Sequence, residues 1–229
     1  MKLVTAQTIV LSRTNYSEAD KIATLLTNDG KKISIIAKGV RKPKSKLASA
    51  LEVFSIADIT YIEGKSQLHT LRSAKISRQN GNIINDYESV QFAYAILKAF
   101  NIITVDEVDP RYFDILKQAL VGLDEYIDRN VVLVWLWVNV VRLHGSGLQL
   151  QSQTDGQKFS EQQNYNFNFD NAGFLADEKG SYKAEHIKVL KIASSNNLKV
   201  LAKVKNANIY CSELLTEINQ FVEIHIGQI

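Results

Sequence analysis

A dense cluster of basic residues is the feature of this sequence most able to bind a ligand. Seven cations fall within sixteen consecutive residues that contain no acid: Lys31, Lys32, Lys38, Arg41, Lys42, Lys44 and Lys46. Phosphates favour such clustering, because each cation that neutralises a phosphate releases a condensed counterion. The cluster predicts a nucleic-acid contact, and a solvated charged loop is the alternative interpretation.

The distribution of charge along the chain points the same way. The 229 residues carry a net charge of +3. Residues 1–80 hold 14 Lys and Arg against 6 Asp and Glu, whereas residues 81–229 hold 13 against 18. A basic N-terminal part joined to a mildly acidic remainder indicates a polyanionic partner at one end of the chain.

Aromatic residues near the basic cluster can add base stacking. Small five-stranded barrels commonly bind single strands by combining a basic groove with aromatic platforms. The candidate platforms are Tyr16, Phe54 and Tyr61. Core packing is the alternative for each of them, and it is the more frequent role of a single aromatic residue.

Catalysis finds little support in the sequence. The four histidines lie far apart without a metal-ligand spacing: His69, His144, His186 and His225. The sequence shows neither a glycine-rich phosphate loop nor a nucleophile elbow. The acidic group Asp106, Glu107 and Asp109 precedes Pro110 and suits a helix N-terminus better than a magnesium site. We expect a protein that is not an enzyme and needs no cofactor.

The single cysteine and the lack of a long apolar segment bear on the cellular compartment of the protein. Cys211 is the only cysteine, which excludes an intrachain disulfide and a zinc site built from several thiolates. It falls on a predicted apolar helix face, as an inert core thiol would. The most apolar stretch, residues 131–141, is shorter than the roughly 20 residues that span a bilayer. We expect a cytoplasmic location without membrane contact.

Five short strands must position the basic cluster. Alternating and β-rich segments predict strands at residues 5–12, 21–27, 32–38, 53–62 and 67–76. Asp29-Gly30 suits a tight hairpin between the second and third strands. Residues 38–46 then form a loop between the third and fourth strands. The pattern favours a small barrel within an α+β fold.

Helical periodicity follows from about residue 82. One apolar row comprises Tyr87, Val90, Tyr94, Leu97 and Asn101, and a second row comprises Phe92, Ile96, Ala99 and Ile103. Pro110 indicates the start of a second helix. An almost wholly apolar helix at residues 130–144, containing Trp135 and Trp137, should pack centrally and end at Gly145.

The remaining residues complete the predicted domain organisation. Residues 146–183 predict a small irregular β insert, and helices return at about 184–194 and 206–222. The expected domains are residues 1–80, a barrel, and residues 81–229, a helical bundle that contains the insert.

The N-terminal motifs resemble those of RecO, the bacterial recombination mediator family. They are Tyr16-Ser17-Glu18-Ala19-Asp20-Lys21, Leu26-Thr27, Gly30-Lys31, Lys38-Gly39-Val40-Arg41, Ser45, Leu47, Leu51 and Phe54, in the order and spacing of that family. The resemblance implies that the barrel is an OB-fold. It also implies a non-catalytic protein that binds single- and double-stranded DNA and anneals complementary strands. Such a protein acts on strands coated with single-strand-binding protein (SSB) and, with RecR, helps load RecA.

The sequence departs from this family in the insert. Many RecO proteins carry two Cys-x-x-Cys pairs for zinc there, whereas this insert has no cysteine. We therefore expect no metal, and packing of Phe167, Phe169 and Phe174 should hold the insert instead.

A second site, for the acidic SSB tail, is expected on the helical domain. Arg142 is a candidate for that contact, and pairing with the carbonyls of its own helix end is the alternative. The alternative function is an OB-fold adaptor that binds RNA or protein without annealing activity.

Overall fold

The structure, a computed structural model, describes residues 2–43, 45, 47–64, 67–195 and 197–228. The chain divides into two units, Met1–Asp124 and Glu125–Ile229. The predicted domain boundary at residue 80 stays a prediction. It falls where the last barrel strand ends, whereas the first unit continues through two helices to residue 124.

Five strands form a closed barrel in the first unit. They are β1 (Leu3–Asn15), β2 (Lys21–Thr27), β3 (Lys32–Ala37), β4 (Ser55–Ile62) and β5 (Leu68–Gln79). The barrel closes in the order β1-β2-β3-β5-β4; β3 and β5 are parallel, and the other neighbours are antiparallel. The predicted α+β fold with a five-stranded OB-fold barrel is confirmed.

Alternating side chains fill the barrel. In β3, Ile33, Ile35 and Ala37 are buried while the residues between them are partly exposed. A closed barrel needs this inward alternation on every strand. The loop between β3 and β4 also contributes to the core, since Val40 and Leu51 are only 2% and 1% exposed. The buried side chains therefore anchor this loop near both of its ends.

Two strands are longer than the sequence predicts. β1 extends to Asn15 and β5 to Gln79, beyond the predicted ends at residues 12 and 76. Their last residues are polar and mostly exposed, so hydrophobicity does not reveal them. Backbone pairing holds them, for example Asn15 with Lys21 and Ser55 with Gln79.

Two helices complete the first unit: α1 (Tyr87–Ile103) and α2 (Arg111–Asp124). The Asp86 side chain caps α1 by accepting a hydrogen bond from the Ser89 amide at 2.9 Å. The predicted apolar rows of α1 are only partly correct. Tyr87 is exposed, whereas Leu97 is buried, because the contact with the barrel selects one side of an apolar helix.

The second unit is mainly helical. Its elements are α3 (Arg129–Leu143), β6 (Tyr165–Asn168), β7 (Gly173–Ala176), α4 (Ala184–Ala193), α5 (Leu198–Leu201) and α6 (Ala207–Ile226). α3 packs against α4, α5 and α6, and Trp135 and Trp137 are buried as predicted. Within the described part of the chain, no helix combines the length and hydrophobicity needed to cross a membrane.

The insert contains the predicted small β structure, a two-stranded hairpin of β6 and β7. Edge-to-face ring contacts hold it: Phe167 lies 4.9 Å from Phe169, 5.2 Å from Phe174 and 5.7 Å from Phe221 of α6, between ring centroids. Aromatic packing of Phe167, Phe169 and Phe174 therefore holds the insert, as predicted. In the residues that the structure describes, no group of three or more potential metal ligands occurs.

Candidate nucleic-acid interface

The structure separates the basic cluster into two places. Lys31 lies in the β2–β3 turn and Lys32 begins β3, whereas Lys38, Arg41 and Lys42 lie in the loop that follows β3. The six residues of β3 span about 17 Å between these places. Lys44 and Lys46, the remaining predicted contacts, lie outside the described residues.

The loop after β3 is hydrogen-bonded to the turn between β1 and β2. The Gly39 amide donates to Asp20 Oδ1 at 2.7 Å, and the Arg41 amide donates to the Ala19 carbonyl at 3.0 Å. The Arg41 guanidinium also donates through Nη1 to the Ser17 carbonyl at 2.6 Å. We call this unit, residues 16–20 and 38–43, the basic clasp.

Local sequence builds each half of the basic clasp. The Tyr16 amide donates to the Asp20 carbonyl at 3.1 Å, which closes the turn. In the loop, Gly39 has a φ of +68°, a conformation that glycine adopts without the strain a side chain would bring. The buried Val40 side chain then fixes the loop to the barrel core. The clasp is thus tied to the barrel from both sides.

The clasp presents positive charge to solvent. Lys38, Arg41 and Lys42 are all exposed, next to one exposed carboxylate, Glu18, and the half-buried Asp20. Exposed cations on hydrogen-bonded loops can bind phosphates at little cost in free energy. They need little desolvation, and the loop is already ordered, so little chain entropy is lost. This arrangement suits a phosphate backbone.

Of the three candidate stacking residues, one is exposed. Tyr16 is 63% exposed and belongs to the basic clasp, whereas Phe54 and Tyr61 are 2% and 3% exposed. Phe54 packs edge-on against Tyr94 at 5.1 Å, and Tyr61 stacks on His69 at 5.1 Å. Phe54 and Tyr61 take the core role, which leaves Tyr16 as the candidate for base stacking.

Lys31 and Lys32 have partners at the hairpin end of the barrel. Lys31 pairs with Asp29 at 3.1 Å, and this hydrogen bond raises the pKa of the Lys31 ammonium. Lys32 Nζ donates to the carbonyls of Asn101 at 2.6 Å and Thr104 at 3.1 Å. Lys32 therefore satisfies carbonyl groups at the end of α1, which helices leave without backbone partners.

The predicted acidic group lies beside the same hairpin. Asp109 accepts a hydrogen bond from the Arg111 amide at 2.9 Å, as expected of an acid at the start of a helix. Its hydrogen bonds from the Arg111 side chain lower the pKa of the Asp109 carboxyl to about 2. The backbone of Asp106 accepts from the Lys32 amide at 3.0 Å. These residues support the fold.

A cleft of about 750 Å³ opens at this hairpin end, away from the basic clasp. Its lining includes Thr24, Lys32, Ser34, His69, Asn101 and Asp106. The Lys32 ammonium is already bonded to helix carbonyls, and the Asp106 carboxylate would repel phosphates. The charges therefore favour the basic clasp over the cleft as a surface for phosphates.

Arg142 lies in the last turn of α3 and is half-buried. Its Nη2 donates to Asn139 Oδ1 at 3.1 Å. Asn139 Nδ2 in turn donates to the carbonyls of Trp135 and Ala193, each at 2.8 Å. Arg142 thus belongs to a polar link between α3 and α4, and its contact with an SSB tail stays a prediction.

Asp20 belongs to the candidate interface, although the basic cluster in the sequence does not indicate it. It belongs to the Tyr16–Lys21 motif, which was the available signal. An acid beside a basic cluster looks unfavourable for phosphate binding. Its hydrogen bond to Gly39 depends on the register of the β2–β3 hairpin, in which Lys21 pairs with Ala37, and the sequence pattern does not fix that register.

Comparison with known proteins agrees with the geometry. The family model described as "Recombination protein O N terminal" matches residues 1–80, which cover the barrel. Three similar proteins are each named "DNA repair protein RecO". The one from Bifidobacterium longum subsp. infantis is 34% identical over 44% of this chain and 42% of its own length. The one from Bacillus pumilus is 27% identical over 79% and 71%, and that from Dehalococcoides mccartyi is 25% identical over 90% and 84%.

The length of the matched region differs among the relatives. The chain covers 42% and 65% of two Bifidobacterium relatives, which is less than two thirds of either protein. The longer matches extend beyond the barrel into the helical part. The barrel, its motifs and these relatives together show that the chain is similar to proteins of the RecO family.

Proposed function

We propose that this chain is a non-catalytic DNA repair protein that binds single- and double-stranded DNA through the basic clasp. The observation that carries the proposal is the clasp itself. It places the exposed cations Lys38, Arg41 and Lys42 and the exposed ring of Tyr16 on two hydrogen-bonded segments of one barrel. The names of the relatives supply the setting of DNA repair.

Phosphate contacts account for binding to both forms of DNA. Single and double strands share the phosphate backbone, so exposed lysine and arginine side chains can neutralise either. Only a single strand leaves base faces free to stack on an exposed ring such as Tyr16. The clasp therefore suits both ligands, with a further contact for single strands.

The same contacts explain how the protein would anneal complementary strands. Two polyanionic strands repel each other, and a basic surface lowers that repulsion and raises their local concentration. Contacts to phosphate leave the base edges free to pair, because they carry no sequence readout. Annealing would thus need no covalent step and no cofactor.

We extend the proposal to the partners that the family resemblance implies. The chain would act on SSB-coated DNA and, with RecR, help load RecA, so its effect on RecA is indirect. The acidic SSB tail would bind the second unit, where Arg142 is the candidate contact. A half-buried arginine held by Asn139 is already oriented, which reduces the entropy lost on binding a carboxylate.

The test is the annealing of two complementary oligonucleotides precoated with the cognate SSB, followed by fluorescence. SSB without its acidic C-terminal tail runs in parallel. We expect the chain to accelerate annealing of strands coated with intact SSB and to lose most of that effect with tail-less SSB. If folded protein accelerates annealing on neither coated nor naked strands at low salt, the proposal fails. The adaptor alternative, with RNA or protein as the ligand, then becomes the better account.

A further inference from the structure

Asp20 places a carboxylate inside the basic clasp. Its Oδ1 accepts a hydrogen bond from the Gly39 amide at 2.7 Å. This bond joins the two segments of the clasp, residues 16–20 and 38–43. Its own amide donates to Ser17 Oγ at 3.2 Å, and its carbonyl accepts from the Tyr16 amide at 3.1 Å. One residue therefore closes the β1–β2 turn and also joins the turn to the loop.

The hydrogen bond between Asp20 and Gly39 lies next to the exposed cations of the basic clasp. Gly39 is flanked by Lys38 and lies two residues before Arg41, at the point where the chain leaves β3. The Lys42 amide donates back to the Gly39 carbonyl at 3.2 Å. Fixing the Gly39 peptide thus fixes the start of the segment that carries all three exposed cations.

Electrostatics alone would disfavour an acid at this place. A carboxylate near a phosphate site repels the ligand, and the repulsion is strongest at low salt. The hydrogen bond works in the opposite direction, because a charged acceptor binds an amide more strongly than a neutral acceptor does. A loop ordered before binding also loses less entropy when DNA arrives.

We propose that Asp20 is a positioning residue for DNA binding, whose hydrogen bond to the Gly39 amide helps binding more than its charge opposes it. The inference rests on the proposed function of the basic clasp. It names the residue that orders the clasp, and it predicts that removing the acceptor of the Gly39 amide by Asp20→Ala weakens binding, although the same change removes a negative charge.

Two substitutions separate the hydrogen bond from the charge. Asp20→Asn removes the charge but keeps an oxygen that accepts from the Gly39 amide. Asp20→Ala removes both. Glu18→Ala is the matched control, since it removes an exposed carboxylate from the same turn and leaves the hydrogen bond between Asp20 and Gly39 in place.

The experiment measures the affinity of each full-length protein for a labelled single-stranded oligonucleotide over a range of salt concentrations. We expect Asp20→Ala to bind about threefold or more weakly than the unaltered chain, the scale of one lost hydrogen bond. Asp20→Asn and Glu18→Ala should bind about twofold more tightly at low salt, through reduced repulsion. The affinity of Asp20→Ala relative to the unaltered chain should fall further as salt rises. The variant gains some affinity at low salt because it lacks the repelling carboxylate, and salt screens that gain.

Amide hydrogen exchange gives a second readout. Exchange at Gly39 should be faster in Asp20→Ala than in the unaltered chain and in Asp20→Asn, since only the alanine variant lacks an acceptor. Thermal melting of all variants checks that the barrel is folded. If Asp20→Ala melts abnormally, Asp20→Leu, whose side chain is of similar size and carries no hydrogen-bond acceptor, replaces it with the same expectation.

Two results overturn the inference while leaving the proposed function intact. One is an Asp20→Ala protein that binds as tightly as Glu18→Ala. The other is an Asp20→Asn protein that binds as weakly as Asp20→Ala, since the retained acceptor would then give no rescue. Failure of the unaltered chain to bind the oligonucleotide would contradict the proposed function, and the inference with it.

Discussion

Replacing both Lys38 and Lys42 with alanine should weaken DNA binding by an amount that depends on salt. Both ammonium groups are exposed in the basic clasp, so each can neutralise one phosphate. Each lost contact to a single strand reduces the slope of log K against log salt concentration by about 0.7. The double variant should lose about 1.4 of that slope and, at about 0.1 M salt, about 25-fold in affinity. Arg41 stays in place, because its bond to Ser17 also supports the clasp.

Fluorescence anisotropy of a labelled single strand, titrated at several salt concentrations, measures this slope. The matched control is Arg72→Ala with Lys75→Ala, which removes two exposed cations from β5 of the same unit. The control should keep the native slope. Equal losses in the two double variants would show that only net charge matters. A native slope in the clasp variant would remove Lys38 and Lys42 from the interface. Either result refutes the reasoning.

Other predictions concern the elements around the site. Gly30 has a φ of +86°, and a Cβ there would lie 2.1 Å from the Val108 carbonyl oxygen. Gly30→Ala should lower the free energy of unfolding by about 2 kcal/mol or more, measured in urea, whereas Gly156→Ala, at a φ of +88° in open space, should cost about 1 kcal/mol. Lys32→Met should cost about 1–2 kcal/mol through the unsatisfied carbonyls of α1 but leave the salt slope unchanged; a reduced slope would place Lys32 in the interface. Burial raises the pKa of the Cys211 thiol to about 12, so a thiol reagent at neutral pH should label it only after denaturation; rapid labelling of the folded chain would contradict its burial.

Local pattern predicts the strands of this fold but not all of their pairings. Alternation and the Asp29-Gly30 turn predict β2, β3 and the hairpin between them, because antiparallel neighbours are joined by a short turn. Closure of the barrel depends on the parallel contact of Ser34 with Leu68 and its neighbours. That contact spans two loops and another strand, so the resemblance to the RecO family, and not periodicity, predicts it.

Burial of α1 shows a different limit. Its sequence is apolar on two rows, so periodicity cannot select the face that packs on the barrel. Tyr87 and Tyr94 are 74% and 49% exposed, whereas Ala93 and Phe100 are buried. The shape of the barrel surface determines which side chains of α1 can pack against it. Helical periodicity carries no information about that shape.

The sequence predicts which residue types form the candidate site, but it does not predict which of them lie together. Proximity in the sequence groups Lys32 with Lys38, yet the length of β3 separates them and α1 takes the Lys32 ammonium. The pairing of Asp20 with Gly39 follows from the register of the β2–β3 hairpin, in which Lys21 pairs with Ala37 and brings the β1–β2 turn beside the end of β3. The register of this hairpin and the contact of Lys32 with α1 therefore decide which cations lie together.

The most direct test of the DNA interface is photo-crosslinking of the unaltered chain to a single strand that contains iodouracil, followed by mass spectrometry of the crosslinked peptides. An exposed aromatic ring that stacks on a base is well placed to react. We predict crosslinks at Tyr16 and within residues 38–43. Crosslinks confined to residues 125–229, or to the cleft beside Lys32, would contradict the assignment of the basic clasp as the DNA-binding surface.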